Sequence, residues 1–119
     1  MKGKKTNTAE YIPISNRSVT KKLFYDEIIY IEKDYHELVF ATEKGKIYIR
    51  GSCADLKKYT ERCKDLYECH SYLAINLRHV ISMEDRKVIF SDGSAKNLGR
   101  KSFCRAKNAF AEYICKDIQ

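Results

Sequence analysis

The chain has 119 residues, of which 44% are hydrophobic and 33% charged, and its formal net charge is +7. This length suits one domain with a buried core, and 9 Tyr and 5 Phe residues exclude the composition of a disordered chain. No segment approaches the roughly 18 consecutive apolar residues of a membrane span, and no apolar signal core follows the polar N-terminus, so we expect a cytoplasmic protein that does not insert into membranes.

The first half of the chain is predicted to be mostly β-strand. Residues 1–10 are polar and basic and have no periodicity, so we expect a flexible basic arm followed by a single domain over residues 11–119. Short segments rich in Ile, Val, Tyr and Phe predict five strands, at residues 11–14, 18–23, 28–33, 37–42 and 46–50. Gly45, which follows Glu43 and Lys44, is free to adopt a positive φ, and this predicts a hairpin turn between the last two strands.

A helix of about three turns is predicted next. Ser52 and Asp55 have the spacing of a capping box, in which the Ser hydroxyl accepts a free backbone N–H and the carboxylate lies at the positive end of the helix. Leu56, Tyr59 and Cys63 form one apolar stripe, so we expect this helix to pack against the rest of the domain.

Strand character returns in the second half, with strands predicted at residues 67–69, 72–76, 80–83, 87–91 and 94–98. Asp92-Gly93 between the last two is typical of a hairpin turn. Phe103 and Phe110 lie on one apolar stripe of a second helix, predicted over residues 101–115. The predicted fold class is therefore mainly β with two helices. His79 falls in a short connection, where we expect it to face solvent.

The cysteines predict neither a disulfide framework nor a zinc finger, because their number is odd and no C-x-x-C pair occurs. We expect reduced thiols, no metal and no cofactor. Cys69 and His70 have the chemistry of a nucleophile and its base, but adjacent residues of a strand point to opposite faces; redox sensing by Cys69 is an alternative. P-loop, G-x-S-x-G and H-E-x-x-H motifs are absent, so we do not expect an enzyme.

Positive charge is concentrated at the two ends of the chain. Residues 1–22 carry six basic residues and one acidic residue, residues 86–119 carry eight and three, and the middle carries nine and twelve. Such a chain can present a positive face to a polyanion, whose released counterions would drive association. Nucleic acid is the first partner to consider, although many lysines on a small protein serve only to solvate its surface.

Several short strings, in this order and spacing, resemble the LytTR family of DNA-binding domains over about residues 21–114. The most specific string is residues 68–77, ECHSYLAINL, which is similar to the family's F-R-x-H-x-S-x-x-V-N. The other strings are residues 26–32, DEIIYIE, the pair Tyr35-His36, residues 50–52, RGS, the pair Val80-Ile81, and residues 98–100, LGR.

This resemblance implies an elongated set of small antiparallel sheets that places loop residues, instead of a recognition helix, into successive major grooves of DNA. The base-contacting positions of the family fall on His36, Ser71 and Arg100. Four cations close to them in sequence are expected to contact phosphates: Lys33, Lys96, Lys101 and Arg105. The residue types suit these roles, since Arg can bind guanine in a bidentate manner and His and Ser can bond to base edges.

Three positions depart from the family pattern. Glu68 stands where a basic residue is usual and would repel a phosphate, Ser71 stands where Arg or Asn is frequent, and Gly99 replaces a Ser before Arg100. These departures affect the expected DNA contacts and leave the expected fold unchanged. His70 and Asn76 match the most specific string, but polar residues between strands often complete buried hydrogen bonds, so we interpret both as structural.

The leading functional prediction is a bacterial transcription regulator that binds specific double-stranded DNA, two copies occupying direct-repeat half-sites and forming a homodimer on the DNA. Since no receiver domain occurs in this sequence, the regulatory signal is expected from a partner protein or another input. The main alternative is a protein-interaction module that has lost specific DNA readout. A binder of RNA or single strands is a third reading, which would require aromatic residues exposed on a sheet face.

Overall fold

The computed structural model describes residues 11–116. Residues 1–10, where the flexible arm is predicted, and residues 117–119 lie outside the described residues. The described chain confirms the mainly β fold with two α-helices, and its strands form three small antiparallel sheets. The elements in chain order are β1 Tyr11–Ser15, β2 Thr20–Phe24, β3 Ile28–Asp34, β4 Glu37–Thr42, β5 Gly45–Arg50, α1 Cys53–Glu61, β6 Leu66–His70, β7 Leu73–Asn76, β8 Val80–Glu84, β9 Lys87–Phe90, β10 Ala95–Asn97 and α2 Arg100–Lys116.

The largest sheet has five strands in the order β5-β4-β3-β7-β6. Its central strand β3 pairs with β4 on one side and with β7 on the other, so that Ile31 lies opposite both Phe40 and Ala74. Because all these pairs are antiparallel, the β3–β4 turn and the β6–β7 turn emerge at the same end of the sheet. The strand pairing therefore brings together two turns that are distant in sequence.

Each face of this sheet carries its own hydrophobic core, because successive side chains of a strand point to opposite faces. On β7, Leu73 and Ile75 point into one core and Ala74 into the other. The α1-side core contains the β1–β2 hairpin, α1 and one sheet face: Ile12, Ile14, Leu23, Tyr25, Ile28, Ile31, Leu38, Phe40, Leu56, Leu66 and Ala74. The α2-side core contains the β8–β9–β10 sheet, α2 and the other face: Ile29, Tyr30, Ala41, Leu73, Ile75, Leu77, Val80, Val88, Phe90, Leu98, Ala106 and Phe110.

The turns and the cap that the sequence predicts are confirmed. Gly45 has φ +128° in the β4–β5 turn, and Gly93 has φ +91° in the β9–β10 turn. At the start of α1, the Ser52 Oγ accepts the backbone N–H of Asp55 at 3.2 Å, and a carboxylate oxygen of Asp55 accepts the backbone N–H of Ser52 at 2.9 Å. Two free N–H groups at this helix end are therefore satisfied reciprocally.

His79, which we expect to face solvent, is in addition bound to the protein backbone. Its side chain is half-buried, and its Nε2 lies 2.7 Å from the backbone carbonyl of Asp26. Since a carbonyl oxygen only accepts, Nε2 carries the proton and donates. His79 ends a short 3-10 turn, Leu77–His79, and Asp26 lies within a second one, Tyr25–Glu27; neither turn is predicted from the sequence.

Asn76 has the structural role that the sequence suggests. Its side chain is buried, and its Nδ2 donates to the carbonyls of Ile28, at 2.8 Å, and Tyr25, at 3.2 Å. Its Oδ1 accepts the backbone N–H of Arg78 at 3.0 Å. This one amide therefore connects the start of β3, and the turn before it, to the end of β7.

Candidate nucleic-acid interface

Two turns at one end of the central sheet bring His36 and Ser71 onto neighbouring loops. His36 lies in the β3–β4 turn and Ser71 in the β6–β7 turn, and both side chains are exposed. The backbone N–H of Lys33 donates to the carbonyl of Tyr72 at 2.8 Å, which extends the β3–β7 pairing up to the turns. The carbonyl of His36 accepts the N–H of Gly51 at 3.0 Å, so the first turn is also fixed from its other side.

Helix α2 begins at this same end. It packs on β6, and the Tyr113 hydroxyl near its C-terminus donates to the Asp65 carboxylate, at the start of β6, at 2.9 Å. The helix therefore runs antiparallel to β6, and its first residue, Arg100, lies toward the β6–β7 turn. Arg105 acts electrostatically on Tyr67, the second residue of β6: burial raises the pKa of the Tyr67 hydroxyl, and the Arg105 guanidinium opposes this shift. We call this end of the molecule, with His36, Ser71 and Arg100, the turn face.

The first two turns of α2 carry an unbalanced positive charge. Arg100, Lys101 and Arg105 are exposed, and the first turn contains no acidic residue. This arrangement is unfavourable for the helix itself, because the N-terminal end of a helix already carries a partial positive charge and usually attracts Asp or Glu. The same arrangement is favourable for a bound anion, which would meet backbone N–H groups and cationic side chains together.

A third hairpin turn supports the start of α2. The backbone N–H of Leu98 donates to the carbonyl of Arg86 at 2.8 Å, and Arg86 is exposed. Asp85 and Arg86 both have positive φ, at 54° and 62°, as the two central residues of a tight turn between β8 and β9. Sequence reasoning missed Arg86; the signal available was a two-residue break, Asp-Arg, between two strand-like segments.

A shallow hollow of about 420 Å³ lies next to the β3–β4 turn. It is lined by Lys33, His36, Arg50, Gly51, Ser52 and Asp55. Lys33 is half-buried there and Arg50 is exposed at the end of β5. Hydrogen bonds from Ser52, chiefly from its backbone N–H, lower the pKa of the Asp55 carboxyl, so this group is a carboxylate committed to the helix cap. Arg50 is a second cation of the turn face that sequence reasoning did not single out.

Lys96 is placed differently from the other predicted phosphate contacts. Its Nζ lies 2.8 Å from an oxygen of Glu32, and the same ammonium lies 4.6 Å from the centre of the Tyr30 ring. Its side chain is only 23% exposed. Lys96 therefore already has an ion-pair partner and an aromatic face within the protein, whereas Lys33, Lys101 and Arg105 have no carboxylate partner among the ion pairs of the described residues.

Cys69 and His70 do not form a nucleophile and base. Cys69 is half-buried against the α2-side core, and burial, with a smaller contribution from Glu68, raises the pKa of its thiol to about 12. His70 is exposed, and its Nδ1 accepts the backbone N–H of Tyr72 at 3.2 Å, which stabilises the β6–β7 turn. The thiol stays protonated at neutral pH, and the imidazole has the structural role predicted for it.

The opposite end of the molecule offers a second hollow, of about 400 Å³, next to the β4–β5 turn. Its walls include Leu23, Ile47 and His79, together with three lysines and three carboxylates, so its charge is mixed.

Within residues 11–116, no group of three or more His, Cys, Asp or Glu side chains is placed to hold a metal ion. In the same part of the chain no helix has both the length and the apolar composition that crossing a membrane requires.

Comparison with known proteins agrees with this architecture. The sequence profile of the LytTr DNA-binding domain matches residues 18–111, which is well over half of the chain. The chain therefore belongs to the LytTR family of DNA-binding domains, which places it among DNA-binding proteins of transcription regulation. Its fold is similar to the solved structure of a LytTr DNA-binding domain from Bacillus cereus, with a TM-score of 0.61 over 89% of this chain and 94% of that chain, at 12% sequence identity. No curated protein shows a significant sequence match.

Proposed function

We propose that this domain binds specific double-stranded DNA in the cytoplasm as a transcription regulator, and that the turn face enters the major groove. The observation that carries this proposal is the unbalanced positive charge at the start of α2, next to the β6–β7 turn. These cations would bind a polyanion such as DNA favourably, because each phosphate that a cation contacts releases condensed counterions.

The side chains of the turn face divide into base readers and phosphate contacts. Arg100 can donate two parallel hydrogen bonds to O6 and N7 of a guanine, and His36 and Ser71 can donate to or accept from base edges. Lys33, Lys101 and Arg105 flank these residues in sequence and supply phosphate contacts, which position the protein without reading sequence. In this scheme Lys96 reaches a phosphate only if its ammonium leaves Glu32.

The arrangement on DNA follows from groove geometry. Loops that enter successive major grooves favour sites repeated about one helical turn apart, roughly 10 bp from centre to centre. Two copies of the domain would then occupy a direct repeat and meet as a homodimer on the DNA.

The test is selection of binding sites from a random pool of double-stranded DNA, followed by fluorescence anisotropy on the selected site at two salt concentrations. Arg100→Ala is expected to weaken binding by about 5- to 150-fold, the equivalent of a lost guanine contact of about 1–3 kcal/mol, and to relax selectivity at one base pair. Arg62→Ala is the matched control, because Arg62 is an exposed arginine at the C-terminal end of α1. If no motif is enriched, the domain is instead a protein-interaction module on the same fold.

A further inference from the structure

Tyr35 stands out among the aromatic side chains of the described residues. It lies in the β3–β4 turn next to His36, and 88% of its surface is exposed, against 37–62% for the other exposed large hydrophobic side chains. Its ring lies 6.4 Å from the imidazole of His36, centre to centre, so the two rings form a loose pair at the tip of the turn. The ring is held in solvent beside a proposed base reader.

The backbone of Tyr35 is also in an unfavourable conformation. Its φ of +57° lies in the left-handed region, which Gly adopts freely and a bulky side chain does not. A Tyr at this position costs folding free energy, and a ring that is 88% exposed buries too little apolar surface to offset that cost. Strain that the fold does not compensate is a reason to look for a contact outside the molecule.

A second exposed aromatic lies on the neighbouring turn. Tyr72 is 56% exposed, its carbonyl accepts the N–H of Lys33, and its ring packs edge-on at 6.5 Å from the imidazole of His70. The turn face therefore combines apolar rings with cations and hydrogen-bonding groups. The major groove of DNA combines the matching features, because the 5-methyl group of thymine is an apolar group among its base-edge donors and acceptors.

We propose that the Tyr35 ring contacts the 5-methyl group of a thymine in the major groove, next to the base that His36 contacts. Tyr35 is then a specificity-determining residue that prefers thymine through an apolar contact, in addition to the hydrogen-bonding readers. This inference rests on the proposed function, since it requires the turn face to enter the major groove.

The experiment is a thermodynamic cycle on the selected DNA site. Each thymine is replaced in turn by deoxyuridine, which removes only the methyl group, and the Kd is measured for the wild type, Tyr35→Gly and the control Tyr48→Ala. Tyr48 is a suitable control because it is 45% exposed within strand β5 and not in a turn. We expect one replacement to weaken wild-type binding about fourfold, the effect of one buried methyl-sized group. The same replacement should leave Tyr35→Gly binding unchanged, and Tyr48→Ala should behave as the wild type.

Chemical denaturation of the same variants gives an independent readout. Tyr35→Gly relieves the left-handed strain, so its unfolding midpoint is expected to equal or exceed that of the wild type while its affinity for the site falls. A residue with only a structural role would lower both.

The proposal is overturned if the wild type is insensitive to every deoxyuridine, if wild type and Tyr35→Gly lose the same factor at each one, or if the selected site contains no thymine. Failure of the proposed function has a different signature, in which the wild type binds the selected site no better than random DNA.

Discussion

Replacement of the buried amide of Asn76 tests how much its hydrogen bonds between β3 and β7 stabilise the domain. Asn76→Leu removes one bond to the Ile28 carbonyl, one to the Tyr25 carbonyl and one from the Arg78 N–H. A buried polar group without a partner costs about 1–3 kcal/mol. Loss of the short 2.8 Å bond to Ile28 should cost an amount in the upper part of this range. The other two bonds contribute less, because the bond to Tyr25 is long at 3.2 Å and the bond from the Arg78 N–H is only partly buried.

The expected loss of unfolding free energy for Asn76→Leu is therefore about 3 kcal/mol. With an unfolding entropy of about 2.1 cal/mol/K per residue, this corresponds to a fall in Tm of roughly 12 °C. Urea denaturation and a thermal melt, both followed by circular dichroism, measure the two quantities. Asn108→Leu, at an exposed position of α2, is the control and should change stability by less than about 0.5 kcal/mol. A loss below about 1 kcal/mol for Asn76→Leu would mean that the three hydrogen bonds of this amide contribute little to stability.

Three further outcomes are expected. Because burial raises the pKa of Cys69 to about 12, iodoacetamide at pH 8 should alkylate the exposed Cys104 at least about tenfold faster than Cys69, as followed by mass spectrometry, and equal rates for the two thiols would contradict the burial of Cys69. The Cys69 thiol keeps its proton in the folded protein at pH values where it ionises in the unfolded chain. Its contribution to stability is therefore lost as the pH rises from about 8.5 toward 12. Ser52→Ala removes the α1 capping box and should cost about 1 kcal/mol in urea denaturation; an unchanged midpoint would mean that the cap contributes nothing. Lys101→Met should reduce the slope of log affinity against log salt by about 0.9, whereas Lys96→Met should leave it unchanged because that ammonium already pairs with Glu32; equal changes would place Lys96 on a phosphate.

The elements and turns were predictable because their signals are local. The turn at Gly45 needs only a residue that tolerates positive φ between two strand-like segments, and the Ser52–Asp55 box needs only two side chains three positions apart. Alternation within strands such as β7 likewise assigns each side chain to one of two sheet faces. Such patterns are complete within a few residues, so they indicate the fold class without knowledge of the tertiary structure.

The missed features depend on partners that are distant in sequence. His79 is held by the carbonyl of Asp26, 53 residues earlier, and Lys96 pairs with Glu32, 64 residues earlier. No local sequence pattern predicts these two contacts, because they depend on the strand order and on how the three sheets pack.

The candidate interface shows the same division between local and long-range information. The family resemblance indicates His36, Ser71 and Arg100 one at a time, and it does not show that they share one end of the molecule. That information comes from the β3–β7 pairing and from the antiparallel course of α2 along β6. A local break in the sequence marks Arg86 as a turn residue, but only the fold brings Arg86 and Arg50 to the turn face.

The most direct test of the central claim, that the turn face reads the major groove, is methylation protection of guanine N7 on the selected site. N7 lies in the major groove, so a protein that enters this groove shields it from dimethyl sulfate. We expect the wild type to protect guanines in successive major grooves and Arg100→Ala, at saturating protein, to restore reactivity at one guanine of each half-site. Protection that Arg100→Ala leaves unchanged, or specific binding that protects no guanine N7, would mean that the turn face does not read the major groove through Arg100.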